Sequence, residues 1–312
     1  MLEGSKNWRA LDTIMMVAGL KPKVTIGICG RNCQDTVRDA LESVAEQDYP
    51  HELMEVVFVD DGSEDNTLKV VEEYLSRTDI VSRIFSGKWR GLGKARNAIV
   101  DNSLGDYIIW VDSDMILTKE FVRKQISFIE RNPKAGIVTG RFGILPEENL
   151  VLTLDLLPSV VEYSRQDWNR LSKMPGTGGA TYRVSAAKEV GGFDESIEGT
   201  GEDVEIAGRI KQAGWSILRA DGLFFEMHGK MSSWKALWKR YVNHGIHNRR
   251  LYQKTNAHFT IFRMSPVASL FAGIRYAILS FEITGKKISF IIPVHFTFKM
   301  TAWFYGFTKK IS

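Results

Sequence analysis

The sequence predicts an α/β fold: a single, Rossmann-like, mostly parallel sheet flanked by helices, followed by a basic and hydrophobic helical extension. Three observations carry this expectation. Short β-rich runs alternate with helical runs from Val24 to about residue 140. The apolar run Ile108-Ile109-Trp110-Val111 stops abruptly in Asp112-Ser113-Asp114. Beyond residue 230 the chain turns basic, aromatic and then strongly apolar.

Taken in order, residues 1–21 form an amphipathic segment without a long apolar run ahead of a cleavage site, so a secretory signal is not expected. Residues 22–230 read as one α/β domain. There, VTIGIC, MEVVFVDDGS, IVSRIF and DYIIWVDSD suit strands. DTVRDALESVAEQ, EDNTLKVVEEYLSR, LGKARNAIVDNS and KEFVRKQISFIERN suit the helices between them. AGIVTGRF reads as a further strand, LPSVVEYSRQDWNRLSK as a helix, and PGTGGATYRV as a Gly-rich loop entering a strand. GEDVEIAGRIKQAG has the acidic start and glycine stop of a helix, and SILRADGLFFEMH supplies further strands.

Bulk properties narrow the function. With 41 basic and 37 acidic residues, the balance is too even to call for nucleic acid as a partner. Cys29 and Cys33 are four apart, with no second pair or suitably spaced histidines to complete a zinc site. They read as reduced thiols of a cytosolic-type domain, ahead of a disulfide or redox role.

The chemistry concentrates at strand ends, where parallel α/β sheets gather ligands. An Asp-x-Asp alone also serves as a turn or helix cap. Asp112 and Asp114 at the end of a buried strand instead ask for a hard cation such as Mg²⁺ or Mn²⁺, which characteristically holds a diphosphate. Asp60 and Asp61 repeat the pattern one strand away, and also suit a turn. Between the pairs, Lys88, Arg90, Lys94 and Arg96 surround a Gly-rich turn suited to an anionic diphosphate, although a solvated face would equally account for Lys88 and Arg90. GLGKAR lacks the third glycine of a dinucleotide motif, and there is no P-loop.

The order of VTIGICGRN, VVFVDDGSEDNT, GLGKARNAI, GDYIIWVDSDM, GGATYRVSAAKEVGGFDES and GEDVEIAGRI resembles family 2 of the nucleotide-sugar glycosyltransferases, with the glycosyltransferase A-type fold, over roughly residues 22–230. The resemblance implies a UDP- or GDP-linked sugar donor. It implies donor contacts from Cys29, Gly30 and Arg31, from Asp60 or Asp61, and from Lys94, Arg96, Gly178, Gly179 and Glu202. It further implies Asp112 toward the ribose or a metal-bound water, Asp114 and His228 on the metal, and Asp203 as the general base of an inverting displacement. A helix amino-terminal carboxylate would equally explain the residue types at Glu202-Asp203. A core or surface histidine is the alternative at position 228. Two departures stand out: Cys29 occupies the position of a usual proline, and an asparagine common near Trp89 or Arg90 is absent. The QxxRW signature and several long membrane helices of processive synthases are also missing, which favours one sugar per acceptor visit.

Residues 231–312 bear on where the protein is expected to work. SPVASLFAGIRYAILSFEI and ISFIIPVHFTFKMTAWFYGFTKK are interrupted by Arg275, His295 and Lys299. They suit either a pair of core helices, in a cytoplasmic protein, or a monotopic hairpin at the cytoplasmic face of the membrane. The second reading brings a lipid-linked acceptor and anionic headgroups as partners. The competing function classes are a soluble transferase acting on a small molecule or protein and a nucleotide-sugar-binding protein without turnover.

Overall fold

The computed structural model describes residues 3–4, 23–88, 90–145, 149–165, 174–197, 200–227, 233–255 and 265–309. The chain forms two compact units, one of Met1–Arg141 with Asp167–Met227, the other of Phe142–Gln166 with His228–Ser312. The division departs from a linear one because residues 142–166 join the C-terminal helices.

The first unit is built on one mixed sheet in the order β1-β4-β3-β2-β5-β8-β7-β9-β6. Its strands are β1 (Glu3–Gly4), β2 (Val24–Gly30), β3 (Met54–Asp60), β4 (Val81–Ser86), β5 (Tyr107–Trp110), β6 (Met115–Leu117), β7 (Ala135–Phe142), β8 (Ala180–Arg183) and β9 (Ser216–Glu226). Helices α1 (Val37–Ala45), α2 (Thr67–Leu75), α3 (Leu92–Asn102) and α4 (Phe121–Arg131) follow the early strands, and α6 (Val184–Glu189) and α7 (Glu202–Gln212) the later ones. The parallel part is β4-β3-β2-β5, where the βα alternation is clearest; β5-β8, β8-β7 and β9-β6 are antiparallel. Ser216–Glu226 is one long strand rather than several, running through Gly222.

Every residue of β3 and β5 is buried, as strands in the middle of a covered sheet require. Trp110 is 2% exposed and meets Tyr182 and Phe193 edge-to-face, with ring centroids 6.1 and 5.5 Å away. Such pairs contribute about 0.5–1.5 kcal/mol beyond area burial. They fix the tip of β5. In register, Gly30 pairs with Asp60 and Gly27 with Trp110, and Val111 N–H donates to Gly27 O, so residues 29–31, 60–61 and 112 reach the same sheet edge.

The second unit consists of α5 (Leu150–Arg165), α8 (Trp234–Thr255), α9 (Pro266–Thr284), a short 3-10 turn and α10 (Ile292–Thr308). Helix α5 begins seven residues before the stretch read as helical from the sequence and passes through Pro158. Asn149 starts it, its side-chain oxygen accepting from Leu152 N–H at 3.0 Å. An interior proline costs about 3 kcal/mol. Full burial of Leu154 and Leu157, each contributing roughly 1.5–3 kcal/mol, offsets it. Part of that predicted helix, residues 166–173, lies outside the described residues.

His295 and Lys299, which interrupt the last apolar stretch in sequence, turn inward. Lys299 Nζ donates to Asp155 Oδ1 at 2.9 Å, Tyr241 OH to the same oxygen at 3.0 Å, and His295 Nε2 lies 3.3 Å from it. Burial alone would raise the Asp155 carboxyl; the Lys299 charge and the hydrogen bonds from His295 and Lys299 outweigh it and hold the group well below the usual carboxylate range. Helix α9 presents the opposite pattern. Ser269, Gly273, Ala277 and Ser280 are buried, while Val267, Leu270, Phe271, Ile274, Ile278 and Phe281 are exposed. It is long and apolar enough to cross a membrane, with 22% of it buried.

Candidate active site

The loops after β2 and β3 lock together. Asp60, 4% exposed, accepts from the N–H and the hydroxyl of Ser63. Asp61 accepts from Arg90 N–H at 2.8 Å and Gly91 N–H at 3.1 Å, tying down the Gly-rich turn. Gly91 has φ +94°, a conformation that favours glycine, and it leads directly into α3. Arg31 donates from Nε to Gly62 O at 3.3 Å, and Gly30 O accepts from Asp61 N–H. The turn role of the first acidic pair is therefore real, and it shapes one wall of the crevice.

Lys94 and Arg96 part company. Two residues apart on a helix, they point to nearly opposite sides. Lys94 is exposed and, with Asp61, Arg90 and Glu195, lines a cavity of about 600 Å³ floored by Val59 and Phe85. Arg96 is 5% exposed and points inward. Its Nη1 donates to Glu202 Oε1, its Nη2 lies 3.9 Å from Asp112 Oδ1, and its guanidinium sits 5.6 Å from the Phe193 ring centre. Burial would lower the Arg96 pKa, but the charges of Glu202, Asp112 and Asp203 more than compensate and raise it.

Around Arg96 the site is crowded with carboxylates. Burial pushes Asp112 up to about 7, with Arg96 opposing and Glu226, Asp114 and Asp203 adding to the rise. Burial likewise raises Glu202, against Arg96, and leaves its Oε2 without a partner. The Cys29 thiol is pushed up to about 12 by burial, so it is a neutral wall of the crevice. Both cysteines are free.

Two glycines bring backbone to these groups. A Cβ at Gly178 would lie 3.1 Å from Asp112 Oδ2 and 3.5 Å from Glu226 Oε1, and one at Gly176 would lie 3.0 Å from Asp203 Oδ2. Gly179, at φ +63°, donates from its N–H to Trp110 O at 3.1 Å. Asp203 occupies the first turn of α7, where Oδ1 accepts from Val204 N–H at 2.7 Å. The main chain of Asp114 accepts from Met227 N–H at the end of β9.

Sequence reasoning missed Glu226 and Gly176. Glu226 closes β9 and pairs with Met115 across the sheet. An acidic residue after the apolar run Leu223-Phe224-Phe225 is the same signal that drew attention to Asp112, and it was available. His228 lies outside the described residues.

Among the described residues no three His, Cys, Asp or Glu side chains form a ready metal cage. The donor chemistry still fits a hard divalent cation. Asp112, Asp114 and Glu226 are all oxygen donors; burial chiefly, with the charges of Glu226 and Asp114 adding to it, raises Asp112 toward neutrality, and a cation would offset both effects.

Residues 25–191, more than half of the chain, match the family described as Glycosyl transferase family 2. The chain is 25% identical over 247 residues to the probable glycosyltransferase YdaM of Bacillus subtilis (strain 168), which covers 76% of this chain and 58% of that protein. It is 34% identical over 101 residues to the poly(ribitol-phosphate) beta-N-acetylglucosaminyltransferase TarS of Staphylococcus aureus (strain Mu50 / ATCC 700699), covering 32% of this chain and 18% of that one. The chain thus spans less than two thirds of either relative. The solved mannosyltransferase PcManGT from Pyrobaculum calidifontis, in complex with GDP-Man and Mn²⁺, shares the fold with a TM-score of 0.63 at 17% identity, over 93% of this chain and 88% of that one. With the strand-end carboxylates, the Gly-rich turn and the acidic start of α7 in one crevice, and a family match across most of the sheet, the chain belongs to glycosyl transferase family 2.

Proposed function

We propose that the protein is a metal-dependent inverting glycosyltransferase that moves one sugar from a UDP- or GDP-linked donor to an acceptor hydroxyl or phosphate on a lipid-linked molecule. The observation that carries this reading is the buried Arg96 bonded to Glu202, which fixes the start of α7 so that Asp203 faces Gly176, while Arg96 also approaches Asp112. The GDP-Man and Mn²⁺ held by PcManGT support the donor class and the cation.

In the proposed reaction the acceptor oxygen attacks the anomeric carbon while Asp203 takes its proton. The bond to the nucleoside diphosphate breaks, and the diphosphate leaves with the electron pair. Attack opposite to departure inverts the anomeric centre. Arg96 keeps Glu202 from turning into the site and lends positive charge to the crevice. Cys29, Gly30, Arg31 and Asp60 or Asp61 receive the nucleoside, Lys94 the donor's anionic part, Gly178 and Gly179 the sugar side, and Asp112 the ribose. A divalent cation on Asp114, with His228, would neutralise charge building on the diphosphate.

The exposed apolar stripe of α9 supports a membrane-associated, monotopic enzyme at the cytoplasmic face. The test is release of UDP or GDP from a panel of nucleotide sugars with Mn²⁺ and a lipid-phosphate acceptor. Acceptor-dependent release that disappears in Asp203→Asn supports the assignment. Undiminished release in that variant removes Asp203 as the base.

A further inference from the structure

The helical unit contains an apolar groove of about 540 Å³, lined by Trp238 of α8, Val267 and Leu270 of α9, and Val294 and Phe298 of α10. Its volume lies within the roughly 300–1,000 Å³ of sites that hold a small ligand. We propose that the groove takes one hydrocarbon chain of an anionic membrane lipid, a proposal that rests on the membrane-associated reading above.

The lining argues for hydrocarbon. The two polar residues that reach it, Thr297 and Thr301, donate their hydroxyls to Pro293 O at 2.9 Å and Thr297 O at 2.7 Å. Their hydrogens are spent within α10, so the groove offers methyl groups and rings. A peptide strand laid there would find no partners for its backbone N–H and C=O groups, whereas an alkyl or prenyl chain has none to satisfy.

The surroundings argue for a bilayer as the source. Val267 and Val294 are 63% and 66% exposed, so the groove is open along its side and runs into the apolar stripe of α9. Lys235 and Lys239 are exposed on α8, three residues before and one after Trp238, suited to a lipid phosphate beside the chain. The bound chain would lie in the groove, whereas the outer stripe of α9 would rest on the membrane.

The experiment uses the full chain with vesicles of phosphatidylglycerol and phosphatidylcholine whose acyl chains are brominated at mid-length. Bromine quenches tryptophan at contact, and subtracting the emission of Trp238→Phe isolates the Trp238 signal. Co-sedimentation with the vesicles is measured in parallel. Expected is loss of most Trp238 emission in the wild type. In Thr297→Phe, which fills the groove, that emission should be retained while sedimentation is unchanged. If Trp238 stays bright in protein that sediments, or is quenched equally in Thr297→Phe, the groove takes no chain and the membrane reading survives. If the wild type does not sediment, the membrane reading fails and this proposal falls with it.

Discussion

Replacing Arg96 by Met removes the cation while keeping much of its apolar stem. Glu202, 2% exposed, then keeps a buried carboxylate with no counter-charge, and Asp112 loses a neighbour 3.9 Å away. Breaking a buried pair by deleting one partner costs about 3–5 kcal/mol, far more than the pair contributes relative to an apolar replacement of both. For a unit of this size that corresponds to a fall in Tm of roughly 10 °C. The assay is urea unfolding followed by near- and far-UV circular dichroism, with Lys94→Met as control on the exposed side of the same helix. The control should stay within about 0.5 kcal/mol of wild type. Glu202→Met placed on Arg96→Met should recover a substantial part of the loss, because the orphaned charge is gone. A single Arg96→Met variant as stable as the Lys94→Met control would refute the argument that this pair holds the start of α7.

Other expectations follow from the same geometry. Asp155 titrates below its ordinary value when folded, so its stabilising contribution is complete above pH of about 3.9 and is lost as pH falls toward the folded value. The melting temperature of the helical unit should drop on acidification in the wild type, and Asp155→Asn should flatten that dependence while costing about 3–5 kcal/mol at neutral pH, since Lys299 loses its partner. Gly178→Ala places a methyl 3.1 Å from the Asp112 carboxylate. It should leave unfolding within about 1 kcal/mol of wild type while weakening the thermal shift produced by Mn²⁺ with nucleotide sugar.

Much of the fold was legible because the physics is local. The parallel strands β2, β3 and β5 are largely apolar runs followed by a change to charge, and the helices between the parallel strands carry matching apolar faces. The strand-end carboxylates at 60–61 and 112–114 could be found the same way. The Arg96–Glu202 bond could not, since its partners are 106 residues apart and only the closed sheet joins them. Sequence proximity grouped Lys94 with Arg96, whereas helical geometry separates them. Proline at 158 hid the first half of α5, because burial of Leu154 and Leu157 before it and of Val160 and Val161 after it outweighs the local penalty. His295 and Lys299 read as obstacles to an apolar helix until Asp155, from a distant segment, supplied their partner.

The most direct test of the account is the configuration of the product. With an α-linked nucleotide sugar as donor and the acceptor-dependent conditions established, the anomeric proton of the new linkage is read by NMR. A β-linked product, absent with Asp203→Asn, is the result expected of single displacement with Asp203 as base. An α-linked product would contradict it.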